Sequence, residues 1–282
     1  MSLEAPEIRI LGIQLSQELP GKKIAGYELS RSEKMQKIGF MNRDSSDYER
    51  MIGRIVGKVD YRGMAIVIGL DKRMNLVLAP EYGGEIRLHK SAEEMPKKFH
   101  FKIEFTDGGV LSVRLKSMGG ILALDDEELL KSWAFARDME GGIYPLDESE
   151  FTFENFSHAI RDNNTGMKTI LVGKDAVVVG FGNAAYQEII FQAKIHPKRK
   201  GVELKEKEIR SLFKAIETVI KRRLAKKGKD EFVDLYGTPG KHKLIMGSNF
   251  RDQPCPRCGT TITRAAMGGG HVHFCSSCQK LG

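Results

Sequence analysis

Nothing in the 282 residues offers a run of eighteen apolar positions or the short apolar core of a secretory leader. A membrane-spanning helix and export by that route are thereby excluded, and a cytoplasmic, reducing setting is expected. No internal repeat is visible, which argues against a solenoid. Cysteine is scarce: four residues, all between positions 255 and 278, leave no thiol elsewhere for a disulfide framework. Gly180-Phe181-Gly182 lacks the third glycine of a dinucleotide-binding fingerprint. Positive charge is not scarce. A net charge of +8 and a pI near 9.2 suggest a polyanionic partner, although basic enzymes that bind no nucleic acid share that balance.

The four cysteines form two Cys-x-x-Cys pairs, Cys255/Cys258 and Cys275/Cys278, sixteen residues apart. That spacing lets two short knuckles converge on one tetrahedral Zn²⁺. Two disulfides or scattered free thiols are the alternative. Against them stand the knuckle residues Gly259 and Gln279 and the absence of any sign of secretion. A ribbon this small buries little core, so the metal supplies its folding free energy, on the order of 10 kcal/mol or more. Its hairpin tip, around Gly268 to His271, is free to meet something outside.

The patterned sequence begins at Glu4-Ala5-Pro6-Glu7-Ile8, and Met1-Ser2-Leu3 reads in part as an expression scar. Ile8, Leu11, Ile13, Leu15 and Leu19 predict a helix that Pro20-Gly21 stops. Short strands follow around Ile24–Leu29, Ile52–Val59, Met64–Ile68 and Leu76–Leu78, and Phe99–Leu115 alternates about Thr106-Asp107-Gly108-Gly109 as a half-buried hairpin. The second half turns to helical period. Helices open at Asp125–Glu128 and at Thr152, and the clearest runs from Glu203 to about Lys227 with a basic far end. That basic end suits either a solvated face or phosphate contact. Gly228 to Asn249, rich in Gly, Lys and Pro, reads as a linker. The glycine turn at 180–182 leads into a further helix, where exposed N–H groups could seat a phosphate with Asn183 as cap and donor; taken alone it is more often a tight turn. The fold expected is α+β: a β-sandwich or barrel with an N-terminal helix over 1–125, a helical domain over 126–245 and a zinc finger over 246–282.

The order of these parts, with Glu4-x-Pro6-Glu7, Val178-Val179-Gly180-Phe181-Gly182-Asn183, Ile195-His196-Pro197 and the terminal zinc ribbon, resembles the formamidopyrimidine-DNA glycosylase and endonuclease VIII family over essentially the whole chain. The resemblance implies a β-sandwich, a helix-two-turn-helix domain and a zinc finger around a DNA-binding cleft. It implies Lys168 and Asn183 as phosphate ligands, Tyr82 and Met118 as groups that stack or wedge in the duplex, and Cys255, Cys258, Cys275 and Cys278 as Zn²⁺ ligands. Packing or plain surface exposure is the competing role for Tyr82, Met118 and Met64. The expected partner is double-stranded DNA, damaged or abasic, met by a monomer on the nucleoid, with no membrane involved.

In that family an N-terminal proline amine attacks the sugar carbon of a flipped nucleotide, and the adjacent glutamate moves protons. Glu4 matches the glutamate, but Leu3 stands at the nucleophile's position, and a free Ser2 amine lies one residue, about 3.8 Å of chain, too early. Met64 occupies the place of the catalytic lysine. Ser117 replaces the arginine that faces the orphaned base, and Gly270 replaces the phosphate-gripping arginine of the finger. Two function classes result: a protein that binds damaged or abasic DNA without cutting it, which these departures favour, or an active bifunctional glycosylase/AP lyase using a primary amine with Glu4 as acid and base. An RNA or ribosome partner through the ribbon and the basic region from Lys200 to Lys229 is a third.

Overall fold

The computed structural model describes residues 3–80, 82–117 and 119–281. The chain divides into two compact units, one made of 1–140 with 230–241, the other of 141–229 with 242–282.

The first unit opens with helix α1 (Ala5–Glu18), capped by a reciprocal pairing of Glu4 and Glu7 and started by Pro6 in its first turn. Its apolar stripe, Ile8, Leu11 and Leu15, is fully buried. Strand β1 (Ile24–Leu29) and a short helix α2 (Glu33–Lys37) follow. Next come β2 (Val56–Arg62), β3 (Ala65–Leu70), β4 (Met74–Ala79), β5 (Gly84–His89), β6 (Phe101–Phe105), β7 (Val110–Leu115) and β8 (Gly120–Asp125). They pair as two antiparallel sheets, β1-β6-β7-β5 and β2-β3-β4-β8.

One core lies between the sheets: Ile86, Phe101, Ile103, Leu111 and Val113 from the first meet Ile66, Ile68, Leu76, Leu78 and Ile121 from the second, with the α1 stripe. The alternate residues Ala65, Val67, Val77 and Leu122 form a separate cluster with Leu129 of helix α3 (Asp126–Lys131) and with Trp133 and Phe135. Burial on both faces explains why β3 reads as an unbroken apolar run rather than an alternation. Strands β5 and β8 were not expected from the sequence. In β5 the polar Glu85, Arg87 and His89 obscure the pattern.

The reading of Gly228 to Asn249 as a linker is corrected. Phe232 and Leu235 are buried in the sandwich core. Gln14 of α1 donates to Asp234 Oδ2 (3.0 Å) and accepts from the Leu235 amide (3.0 Å), and Leu88 N–H donates to Leu235 O (3.0 Å). Residues 230–241 are thus a structural part of the first unit, inserted from far along the chain.

The second unit is helical. It contains α4 (Phe153–Arg161), capped by Thr152 Oγ1, then α5 (Met167–Leu171), α6 (Asn183–Ala193) and α7 (Glu206–Ala225). A double turn over 172–182 joins α5 to α6, pinned where Val177 and Val178 N–H donate to Ile170 O. Helix α7 buries Ile209, Leu212, Ile216, Val219, Ile220 and Arg223 at helical spacing. Of its basic far end, Arg223 turns inwards, where Nε and Nη2 donate to Glu188 Oε2 of α6 (3.0 and 2.6 Å). His242 Nε2 and Ile245 N–H complete the shell around Glu188 Oε1 (2.8 and 3.0 Å). Burial pushes the Glu188 carboxyl up. The His242 hydrogen bond and the charge of Arg223 outweigh it and hold the group below the usual carboxylate range. The unit ends in a two-stranded ribbon, β9 (Thr263–Met267) and β10 (Gly270–Phe274), whose Val272 and Phe274 join the helical core.

Candidate metal centre and nucleic-acid interface

Each Cys-x-x-Cys sits on a tight knuckle. In the first, Gly259 N–H donates to Cys255 O (2.9 Å) and Gly259 takes φ +78°, a conformation that favours glycine. In the second, Gln279 N–H donates to Cys275 O (2.9 Å). The Gln279 side chain is fully buried, accepting from Cys275 N–H (3.0 Å) and donating to Ile195 O (2.9 Å), which ties the knuckle to the end of α6. The four Sγ atoms lie within 4.8 Å of one another. Zn–S bonds of about 2.3 Å at tetrahedral angles place sulfurs about 3.8 Å apart, so the cluster fits a zinc ion.

The thiol chemistry agrees. Hydrogen bonds from Thr260 hold the Cys258 thiol down to about 6, whereas burial and then the neighbouring thiols push Cys278 up to about 12. Four thiolates can share this space once a divalent cation compensates them. With four thiolates the shell is closed, so zinc here is structural.

The ribbon's turn is Gly268-Gly269, at φ +52° and +73°, a two-residue loop with both central residues left-handed. The turn sets the register: Met267 faces Gly270, Ala266 faces His271 and Arg264 faces His273. Two groups from the helical core hold this tip. Lys168 Nζ, on α5, donates to Met267 O (2.7 Å) and Gly268 O (3.0 Å), and Asn183 Nδ2, at the start of α6, donates to His271 O (3.0 Å). The structure therefore brings together Lys168, Asn183 and the ribbon tip, which lie about a hundred residues apart in sequence. Asn183 was expected as the helix cap. Gly182 takes that place, and Asn183 is the first helical residue, its Oδ1 buried without a hydrogen-bond partner. An ammonium has three donors and a primary amide two, so Lys168 and Asn183 each keep one N–H that no described residue accepts. Partial burial pulls the Lys168 pKa below its ordinary value.

Sequence reasoning did not find Arg264. Its Nη2 contacts His271 Nε2 across the hairpin (2.8 Å), and among the described residues it has no carboxylate partner. The signal available was the Gly-Gly turn, which fixes the diagonal between positions 264 and 271.

Within the first unit, Glu4 and Glu7 are fully buried at the head of α1, where Glu4 N–H donates to Glu7 Oε2 (3.2 Å). The Leu3 side chain packs into the sandwich core at 4 % exposure. Met64 follows Gly63 in the two-residue turn between β2 and β3. Its N–H donates to Asp138 Oδ1 (2.9 Å), and Arg62 Nη1 donates to Asp138 O (2.6 Å). Burial pushes the Asp138 carboxyl up against the opposing charge of Arg137. Gly63 has φ +61°, and a Cβ there would lie 2.3 Å from Asp138 Oδ1, so the carboxylate and the turn fit only with glycine. Tyr82 stands in the β4–β5 loop at 52 % exposure. Ser117 is exposed, and Met118 lies outside the described residues.

Three family models match the chain in order. The formamidopyrimidine-DNA glycosylase N-terminal domain matches residues 3–116, the formamidopyrimidine-DNA glycosylase H2TH domain residues 142–233, and the zinc finger found in FPG and IleRS residues 252–281. The chain belongs to the formamidopyrimidine-DNA glycosylase family. The H2TH match spans helices α4 to α7, and the zinc-finger match spans the four-cysteine ribbon. Curated formamidopyrimidine-DNA glycosylases of Roseiflexus sp. and Herpetosiphon aurantiacus are 27 % and 28 % identical, each alignment covering 98 % of this chain and 99 % of the relative. The Lactococcus lactis Fpg solved with abasic-site DNA shares the fold at a TM-score of 0.80 and 22 % identity, covering 98 % of this chain and 99 % of that one. MutM in complex with DNA containing carbocyclic 8-oxo-G aligns with a TM-score of 0.78, also at 22 % identity and the same coverage. As in sequence, among the described residues no helix is long and apolar enough to cross a membrane.

Proposed function

We propose that this glycosylase-family chain binds duplex DNA at a damaged or abasic nucleotide, on the nucleoid, and leaves the strand uncut. Solved relatives carry abasic-site and 8-oxo-G DNA, and this chain keeps their fold from end to end. Lys168 and Asn183, each with a donor to spare at the ribbon tip, take backbone phosphates. Tyr82 and Met118 supply the stacking and wedging groups that hold a gap open. The observation that carries the uncut strand is the residue before Glu4. Schiff-base formation needs an unprotonated amine within bonding reach of the sugar carbon. Leu3 packs its side chain into the sandwich core, and wherever Ser2 precedes it the Leu3 nitrogen is an amide, its lone pair delocalised into the peptide bond. Met64 offers a thioether, which supplies neither an amine nor a proton donor.

A second reading, an active lyase, is favoured by Glu4 itself. A carboxyl kept fully buried at the head of α1 is placed to transfer protons if a free amine directly precedes it. The two readings separate in one experiment. Abasic duplex incubated with the protein and borohydride should yield a bound complex and no covalent adduct. An adduct that disappears when the N-terminal amine is blocked would refute the binding-only reading.

A further inference from the structure

Helix α7 is rich in cations, and the inward turn of Arg223 to Glu188 accounts for only one of them. We infer that the solvent face of α7, along Lys207, Lys214 and Lys221, takes a second segment of duplex DNA while the ribbon side of the same unit holds the first. This rests on the reading of the chain as a DNA-binding protein.

Seven-residue steps return to nearly the same side of a helix, so the three lysines form a row, each about 10.5 Å from the next along the axis. All three are exposed, on the side opposite the buried Ile209 and Ile216. Helix α6 stands between this row and the ribbon tip. It is buried on every face from Ala184 to Phe191. Helix α7 meets it through Arg223 and through Ser211, whose Oγ donates to Ala193 O (3.2 Å), and the ribbon meets it through Gln187, whose Oε1 accepts from His273 N–H (2.6 Å). A duplex held at Lys168 and Asn183 therefore leaves the row uncovered.

Local helix chemistry does not explain the row. Lys207 sits in the first turn, where the positive end of the helix dipole disfavours a cation, and Lys214 sits mid-helix, where the dipole gives nothing. Neither makes an ion pair among the described residues. Lys221 reaches Glu217 only at 3.8 Å, and Arg210, beside the row, is already paired with Glu206 (2.8 Å). Duplex DNA carries one charge per about 1.7 Å of its axis, so a straight row of cations meets phosphates in any register. A membrane surface would need apolar groups to bury beside the cations. Here the neighbours of the row are Ser211 and Thr218, and the apolar side of α7 lies in the helical core. A protein that holds two segments at once can pass from one to the other without first entering solvent.

The test is energy transfer between a donor-labelled duplex carrying a tetrahydrofuran abasic analogue and an acceptor-labelled undamaged duplex, using full-length zinc-loaded protein. Transfer arises only where one protein holds both. Three phosphate contacts give a salt slope of about 2.7, so affinity for the second duplex should fall about 40-fold between 50 and 200 mM salt. The combined variant Lys207→Gln, Lys214→Gln and Lys221→Gln should lose the transfer and still bind the tetrahydrofuran duplex like the parent. Equal transfer in parent and variant refutes the row, as does a parent that binds the tetrahydrofuran duplex and shows no transfer; DNA binding stands in both cases. A row that takes phosphatidylglycerol vesicles and no second duplex would assign it to a membrane surface and overturn the inference. If the parent does not bind the tetrahydrofuran duplex, both this inference and the reading beneath it fall.

Discussion

Replacing Arg223 with methionine breaks a fully buried ion pair in the helical unit. The guanidinium and the Glu188 carboxylate are both fully buried and joined by two hydrogen bonds, so solvent screening offers no relief when one partner is removed. Methionine matches the length of the stem but leaves Glu188 with only His242 and the Ile245 amide. Breaking a buried pair in this way costs about 3–5 kcal/mol. For a unit of this size that lowers the thermal midpoint by about 12–20 °C. The assay is helical circular dichroism during thermal and urea unfolding, because α4 to α7 lie in this unit. Tryptophan fluorescence is the internal control: Trp133, the one tryptophan in the sequence, sits in the other unit. The double variant Glu188→Gln with Arg223→Met should recover a large part of the loss, since the carboxylate that lost its guanidinium is then neutral. A cost below about 1 kcal/mol for Arg223→Met, or an equal cost with and without Glu188→Gln, would show that the pair adds nothing beyond packing.

Glu188 is held below its ordinary range, so its contribution is fully present above the unfolded carboxyl value near pH ~4.3 and lost as pH falls through the lower folded value; acid titration of the helical signal should show a loss in that window that Glu188→Gln abolishes. Phe232→Ala should destabilise the sandwich unit by about 3–5 kcal/mol, read by Trp133 fluorescence, whereas a linker residue would cost almost nothing. Zinc should bind at one ion per chain through Cys255, Cys258, Cys275 and Cys278, and Cys275→Ser should lose it; metal analysis of chelator-free protein decides.

Much of the fold was legible because local chemistry and tertiary structure agree. Pro6 in the first turn, the Thr152 cap and the alternation from Phe101 to Leu115 all point the same way as the packing that results. The cysteine spacing was enough to assemble the metal cluster. What stayed hidden depends on long-range placement. Phe232 and Leu235 sit among Gly, Lys and Pro, and only the sandwich core makes them interior residues. Asn183 carries the chemistry of a cap, but Gly182 takes the capping position and frees the amide to cross to His271. Arg264 is one more surface cation in a basic chain until the ribbon's register sets it beside His271.

The insertion of residues 230–241 bears on how the protein is made. A ribosome delivers domains from the N-terminus, and a continuous sandwich could close as soon as β8 emerged. This one cannot, since Phe232 and Leu235 are still to be synthesised and their places in the core stand open to water. All four helices α4 to α7 are released first, so the helical unit has the opportunity to form while the sandwich is incomplete. The apolar interior of the sandwich is the aggregation-prone surface of the nascent chain, and its exposure lasts for the synthesis of about a hundred further residues. A fragment cut at 140 inherits that defect permanently, and the complementary fragment carries Phe232 and Leu235 with no core to enter.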